Sequence, residues 1–139
     1  MKALTAVKEG LKKSYKTILV IIKIVVPVYF LIKVLEYTNI LAYISNWFSP
    51  FMKIFGLPGE SAIVLLTGGF LNLYGAIAAI GAFTFTKREI TIIAIMLLFS
   101  HSLPLETSIL KKLNISRTKQ ILLRVSVMIL IGIILNLVW

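Results

Sequence analysis

Apolar residues fall along this chain in runs of helical length, separated by short polar or basic interruptions. From Thr17 to Leu35 the run is long enough to cross ~30 Å of hydrocarbon at ~1.5 Å per residue, with Pro27 as a kink. Lys23 and Lys33 sit toward its opposite ends, where long side chains can snorkel, and Glu36 follows Lys33 by one turn as a partner. Ahead of it, residues 1–16 place Leu4, Val7, Leu11 and Tyr15 at helical spacing against Lys2, Lys8, Lys12, Lys13 and Lys16. That pattern predicts a basic amphipathic helix on an anionic membrane surface, or else a positive tail that only fixes orientation.

A second stripe, Ile40, Leu41, Ile44, Trp47, Phe48, Phe51, Met52 and Phe55, opposes Asn39, Ser45, Asn46, Ser49 and Lys53. It predicts an interfacial helix, or the first arm of a re-entrant hairpin, interrupted by Pro50. Residues 61–86 read as a half-helix from Ser61 to about Thr67, a break at Gly68 and Gly69, and a crossing segment from about Phe70 to Thr86; one long bent helix is the alternative. Then come an apolar arm from Ile90 to Phe99, a polar break at Ser100, His101 and Ser102, and a short return to Lys111 and Lys112. Basic residues at both ends predict a second re-entrant hairpin with its tip at Pro104. Ile121 to Trp139 crosses last. The expected fold is an all-α integral membrane protein with about three transmembrane helices and two re-entrant or broken helical hairpins, in which residues 1–16 precede one membrane domain at 17–139.

Composition agrees with lipid as the solvent. Of 139 residues, 59% are apolar, mean hydropathy is +0.99, and no aspartate occurs. The net charge of +10 does not indicate nucleic acid, because the fifteen basic residues flank apolar runs instead of lining one polar surface. They read as topology determinants that leave the N-terminus cytoplasmic in a multi-pass inner-membrane protein. The N-terminus does not read as a cleavable signal, since its basic stretch is long and a span-length run follows. There is no cysteine, so disulfides, thiolate metal sites and cysteine nucleophiles are excluded.

Candidate chemistry concentrates in two pentads, Leu57-Pro58-Gly59-Glu60-Ser61 and Leu103-Pro104-Leu105-Glu106-Thr107, which hold two of the five acidic residues. Each puts a proline where a helix begins and a carboxylate beside its free N–H groups. A carboxylate in lipid costs at least ~2.5 to 3.5 kcal/mol, so Glu60 and Glu106 are expected to face a polar cavity, pair, or take up a proton. The alternative is that both only cap helices, with Ser61 and Thr107 satisfying N–H groups. Asn72 is a solute-binding group or an interhelical hydrogen bond. His101, the single histidine, is a pH sensor, a proton relay or a structural residue. No catalytic set, phosphate loop or metal-ligand spacing occurs, so neither an enzyme nor a metal site is expected. The two break units, entering from opposite sides, would form an inverted repeat of the kind found in alternating-access transporters, although outside the pentads they align poorly.

Gly56-Leu57-Pro58-Gly59-Glu60-Ser61, followed by Gly68-Gly69-Phe70-Leu71-Asn72, resembles the Gate, or nucleoside-recognition, domain. That family includes the spore maturation proteins A and B, and similar segments occur in concentrative nucleoside transporters and in the permease part of ferrous iron transporters. The resemblance covers roughly Leu35 to the C-terminus and implies a gated, solute-handling membrane region. In the nucleoside transporters, residues at hairpin tips meet substrate and coupling ion, which by motif position would be Glu60, Ser61, Glu106 and Thr107 here. The chain is much shorter than those transporters, so a homodimer, or a heterodimer with a homologous membrane subunit, is expected to enclose the site. The resulting expectation is a small-solute transporter subunit, nucleoside-like in substrate, with Na+ or H+ as coupling ion and no other cofactor. The alternative is a non-transporting assembly factor or a holin-like pore former.

Overall fold

The structure, a computed structural model, describes residues 2–110 and 116–139. The longest apolar stretch becomes the longest helix: α1 (Lys2–Tyr37) runs unbroken from the basic segment through Pro27 to the end of the expected span. Its 36 residues measure ~54 Å at ~1.5 Å per residue, well beyond ~30 Å of hydrocarbon. The lysine-rich first turns are the part suited to lie outside, so the basic segment and the span are one rod.

Asn39, in the left-handed region at φ 59°, turns the chain into α2 (Ile40–Met52). The expected stripe holds only in part: Leu41, Met52 and Phe55 are buried, but Trp47 and Phe51 from the same stripe face outward, and Ser45 of the opposing polar face is buried. Pro50 does not interrupt the helix, which continues to Met52 and tightens into a 3-10 turn at Lys53–Phe55. Gly56 ends that turn at φ 65°, a conformation in which a Cβ would also meet the Asn136 side chain at 2.1 Å.

Two short helices follow, α3 (Ser61–Phe70) and α4 (Leu73–Ala82), packed against each other as a hairpin. The expected crossing segment from Phe70 to Thr86 is therefore corrected. Ten residues of α4 rise only ~15 Å, half of the hydrocarbon thickness. The break also lies at Leu71 and Asn72 and not at Gly68 and Gly69, which stay helical. Gly68 serves packing: a Cβ there would sit 2.5 Å from Leu97 Cδ2 and 2.9 Å from Ala76 Cβ.

The next unit is corrected in the opposite sense. α5 (Lys87–Ser100) and α6 (Leu103–Leu110) both lie along α7 (Arg117–Val138) instead of folding back on each other. Arg88 meets Asn136, and Arg124 meets Phe99, His101 and Glu106, so α7 runs antiparallel to α5 and reaches α6 through Arg124. Lys87 to Ile109 is thus one stretch long and apolar enough to cross a membrane, broken at His101 and Ser102. The expected return to Lys111 and Lys112 lies outside the described residues.

Three stretches are long and apolar enough to cross a membrane, Leu4–Tyr37, Lys87–Ile109 and Arg117–Val138, and the described residues form helices and no strands. The chain is a multi-pass, all-helical membrane protein. Its core centres on α5, where Ile92, Ile93, Met96 and Leu97 are almost wholly buried with Val64 of α3 and Ala76 and Ala79 of α4. Gly132 lets α7 approach this core, since a Cβ there would fall 2.7 Å from Phe55 and 2.9 Å from Met96. The outer faces of α1 and α7 remain apolar and exposed, as lipid-facing surfaces require.

Candidate functional site

Both pentads sit where a helix is interrupted, but their side chains are used differently. At the first, the N–H groups opening α3 are satisfied by the loop's own backbone: Ser61, Ala62 and Ile63 donate to the carbonyls of Pro58, Gly59 and Glu60 at 3.1, 3.1 and 3.0 Å. Side-chain capping is therefore absent at Glu60, and the fully buried Ser61 hydroxyl donates to the Pro58 carbonyl. Gly59 lies against α2 so closely that a Cβ would be 2.1 Å from the Ser45 carbonyl oxygen. Arg88 holds the preceding turn by donating to the Gly56 carbonyl at 3.2 Å and to Asn136 Oδ1 at 2.8 Å. Asn136 in turn donates to the Ile54 carbonyl at 3.1 Å.

The Glu60 carboxylate opens instead onto a polar cleft of about 420 Å³, lined also by Lys33, Glu36, Thr84, Thr86 and Glu89. Glu36 accepts from Lys33 Nζ at 2.7 Å, and Glu89 is engaged in a capping box with Thr86 that starts α5. Among the described residues, nothing bonds the Glu60 carboxylate. Three of the chain's five acidic side chains thus meet in one cleft, and Glu60 is the one whose oxygens are uncommitted.

The second break is a dense polar knot inside a span. The chain leaves α5 at His101, extended at φ −69° and ψ 150°, and turns at Ser102, which has a φ of 50°. Ser102 N–H donates to the Gly68 carbonyl at 2.9 Å, joining the break to α3 near the tip of the α3–α4 hairpin. Arg124 of α7 donates through Nε to the Phe99 carbonyl at 2.6 Å and through Nη2 to the His101 carbonyl at 3.2 Å. Its remaining amino group pairs with Glu106 Oε2, while His101 Nε2 lies 3.3 Å from Glu106 Oε1. His101 Nδ1 is 3.0 Å from the Leu97 carbonyl oxygen. Breaking a helix exposes carbonyls at the end of its first half; here one guanidinium satisfies two of them and a carboxylate at once.

The six residues expected from the sequence therefore fall in two places and a tip. Glu60 and Ser61 belong to the first break, and His101, Glu106 and Thr107 to the second. The buried Thr107 hydroxyl donates to the Leu103 carbonyl at 2.6 Å and so caps no N–H group. Asn72 makes no interhelical bond among the described residues; at the hairpin tip it caps α4, accepting from Gly75 N–H at 3.0 Å. Arg88, Arg124 and Asn136 were missed. The signal for Arg124 was present, because it is the one charged residue in the run Ile121 to Trp139. Gln120, one turn before it, has a buried Oε1 with no hydrogen-bond partner among the described residues.

An apolar groove of about 350 Å³ opens beside the second break, bordered by Phe48 and Met52 of α2, Leu65 and Phe70 of α3, Pro104 of α6 and Met128 of α7.

Residues 18–116 match the Gate family, described as nucleoside recognition. Over 130 residues, 94% of its length, the chain is 33% identical to the uncharacterized membrane protein YvoD of Bacillus subtilis (strain 168), and it spans 42% of that relative. No solved structure matches the chain.

Proposed function

The chain belongs to the Gate, or nucleoside-recognition, family, and from that premise we propose that it is one subunit of an ion-coupled small-solute transporter with its gate at the two helix breaks. The observation that carries this reading is the Ser102 N–H bond to the Gly68 carbonyl, which links a broken span to a half-depth hairpin. Non-helical backbone at membrane depth is tolerated where it is buried in protein or lines a polar path, and paired breaks of this kind are a feature of transporters. The cleft at Glu60 supplies the solute end. Carboxylates and threonine hydroxyls accept well from the hydroxyl and amine groups of a nucleoside-like solute.

A single copy is incomplete. The matched relative carries more additional sequence than this whole chain contributes to the match, and the apolar groove offers a seat for a second copy or a homologous companion. The start of α7, with Arg117 and Lys119, shares its end of the bundle with the lysine-rich start of α1, because α7 ends beside Arg88. That basic end is the cytoplasmic one, in an inner membrane.

The test is solute flux in proteoliposomes, with nucleosides, amino acids and carboxylates offered with and without sodium. Glu60→Gln and Glu106→Gln are expected each to lower flux at least tenfold while insertion and assembly persist. A double variant that assembles and transports normally would overturn the reading. If no solute moves or raises the thermal stability of a folded, oligomeric preparation, the assembly-factor reading takes its place.

A further inference from the structure

We infer that the tip of the α3–α4 hairpin is covered by the same tip of a second copy of this chain, the two copies standing side by side about an axis along the membrane normal. Three polar groups carry the argument. Leu71, at φ −91° and ψ −87°, and Asn72, at φ −172° and ψ 175°, lie outside both helices. Leu71 N–H donates to the Thr67 carbonyl at 2.9 Å, the Asn72 carbonyl accepts from Ala76 N–H at 3.2 Å, and Asn72 Oδ1 accepts from Gly75 N–H. The Leu71 carbonyl, the Asn72 N–H and the Asn72 amide nitrogen have no hydrogen-bond partner among the described residues.

The side chains around these groups face outward: Phe70 is 65% exposed, Leu71 54% and Leu73 45%. The ten residues of α3 carry the tip ~15 Å from the end of the bundle at which the hairpin starts, to about the middle of the hydrocarbon. Lipid suits the three side chains, but it neither donates to nor accepts from the chain, and irregular backbone at that depth persists only against protein or water. A water-filled path would in turn leave Phe70, Leu71 and Leu73 wetted. A protein surface meets both demands.

The patch selects a second copy as that surface because its partial charges complement themselves. Turned through 180°, its amide donors meet its own carbonyl acceptor, as a two-fold contact requires. The lysine-rich start of α1, with Arg117 and Lys119 at the start of α7, holds every copy in one orientation across the membrane. Two copies then meet at equal depth, tip against tip, and Asn72 of each donates to the Leu71 carbonyl of the other, an asparagine bond of the kind that joins membrane helices. The match takes up 42% of the relative, whose own chain has room for a second unit of this size; here the second copy takes that place. Phe70 also borders the apolar groove, so the contact adjoins it. This names the partner that the transport reading calls for, yet the contact stands whether or not a solute moves.

The chain has no cysteine, so single-cysteine variants of the full chain in liposomes test the contact directly. With copper phenanthroline as oxidant, Leu71→Cys is expected to give a disulfide-linked dimer. Leu130→Cys, exposed to a similar degree on α7, is expected to stay monomeric. Asn72→Asp keeps an oxygen to cap α4 but loses the amide hydrogens and sets two carboxylates near the axis. It is expected to weaken self-association at least about threefold, the worth of one hydrogen bond between membrane helices, read by fluorescence energy transfer across a series of protein-to-lipid ratios. Amide exchange at the start of α4 checks that its cap persists. A folded Leu71→Cys chain that gives no dimer overturns the proposal, and its reaction with a water-soluble maleimide instead would place water at the tip. Equal cross-linking of Leu130→Cys, or an Asn72→Asp chain that associates as tightly as wild type, overturns it too. Should Asn72→Asp fail to fold, the two cross-linking yields decide. Solute flux is read separately: a tip-to-tip dimer without flux upholds the contact and removes only the transport reading, and flux from a chain that forms no such dimer does the reverse.

Discussion

The two Leu-Pro-x-Glu breaks share a sequence pattern and an arginine, yet only one of them is electrically closed. At the first, Arg88 ties down the Gly56 carbonyl and Asn136, and leaves Glu60 facing a polar cleft. At the second, Arg124 ties down the Phe99 and His101 carbonyls and also takes Glu106, with His101 on its other oxygen. The same device, an arginine from another helix covering carbonyls freed by a break, thus produces an open carboxylate in one place and a neutralised one in the other. The difference matches location. A carboxylate within a span must be paired or hydrated, whereas one at the end of the bundle, beside the starts of α3 and α5, can remain available to a ligand.

Removing each arginine tests that contrast most strongly. Arg124→Ala strands Glu106 and two carbonyls inside the membrane and is expected to cost about 3 kcal/mol, the low end for breaking a buried pair, because Glu106 is partly exposed. Arg88→Ala removes two hydrogen bonds but strands no charge, so about 1 to 2 kcal/mol is expected. Unfolding of both variants in mixed micelles gives the ranking; equal losses would mean that the Glu106 pair contributes nothing special.

The contact between hairpin and broken span is probed by Gly68→Ala. Its Cβ would overlap Leu97 and Ala76, so overpacking should outweigh the ~1 kcal/mol that alanine gains in a helix, for a net loss of about 1 kcal/mol in the same assay. Asn72→Ala removes the cap at the hairpin tip and should cost about 1 kcal/mol, read as faster amide exchange at the start of α4. The smallest change is expected for Glu60→Gln, within about 0.5 kcal/mol of wild type, because no group among the described residues bonds that carboxylate. A large loss there would show that the first break is closed after all, and the contrast would fail.

Much of the candidate site was legible before the fold. Glu60, Glu106 and His101 were marked by their rarity in an apolar chain and by their place beside prolines, and each proves to lie at an interruption. Their partners were not, because Arg124 reaches Glu106 across 18 positions and Arg88 reaches Asn136 across 48. No local pattern encodes which face of a distant helix will meet a break. The hydrogen bonds that Ser61, Thr107 and Asn72 make within the fold were not legible either, for a related reason. Short polar side chains at helix ends choose among several nearby backbone groups, and the path of the chain decides the choice.

Solvent class, the number of span-length stretches and the interruptions beside Pro58 and Pro104 were determined by the sequence itself, since hydropathy, helix length and proline placement are local properties that lipid enforces. Which interruption turns back and which continues as a span was settled only in three dimensions. Residues 61–82 and 87–110 both read as apolar arms around a break. Small residues let α3 and α4 close on each other, at Gly68 and Ala76, while α7 draws α5 and α6 into line through Gly132 and Arg124. That choice depends on how side chains far apart in sequence pack and pair, which periodicity along one chain does not record.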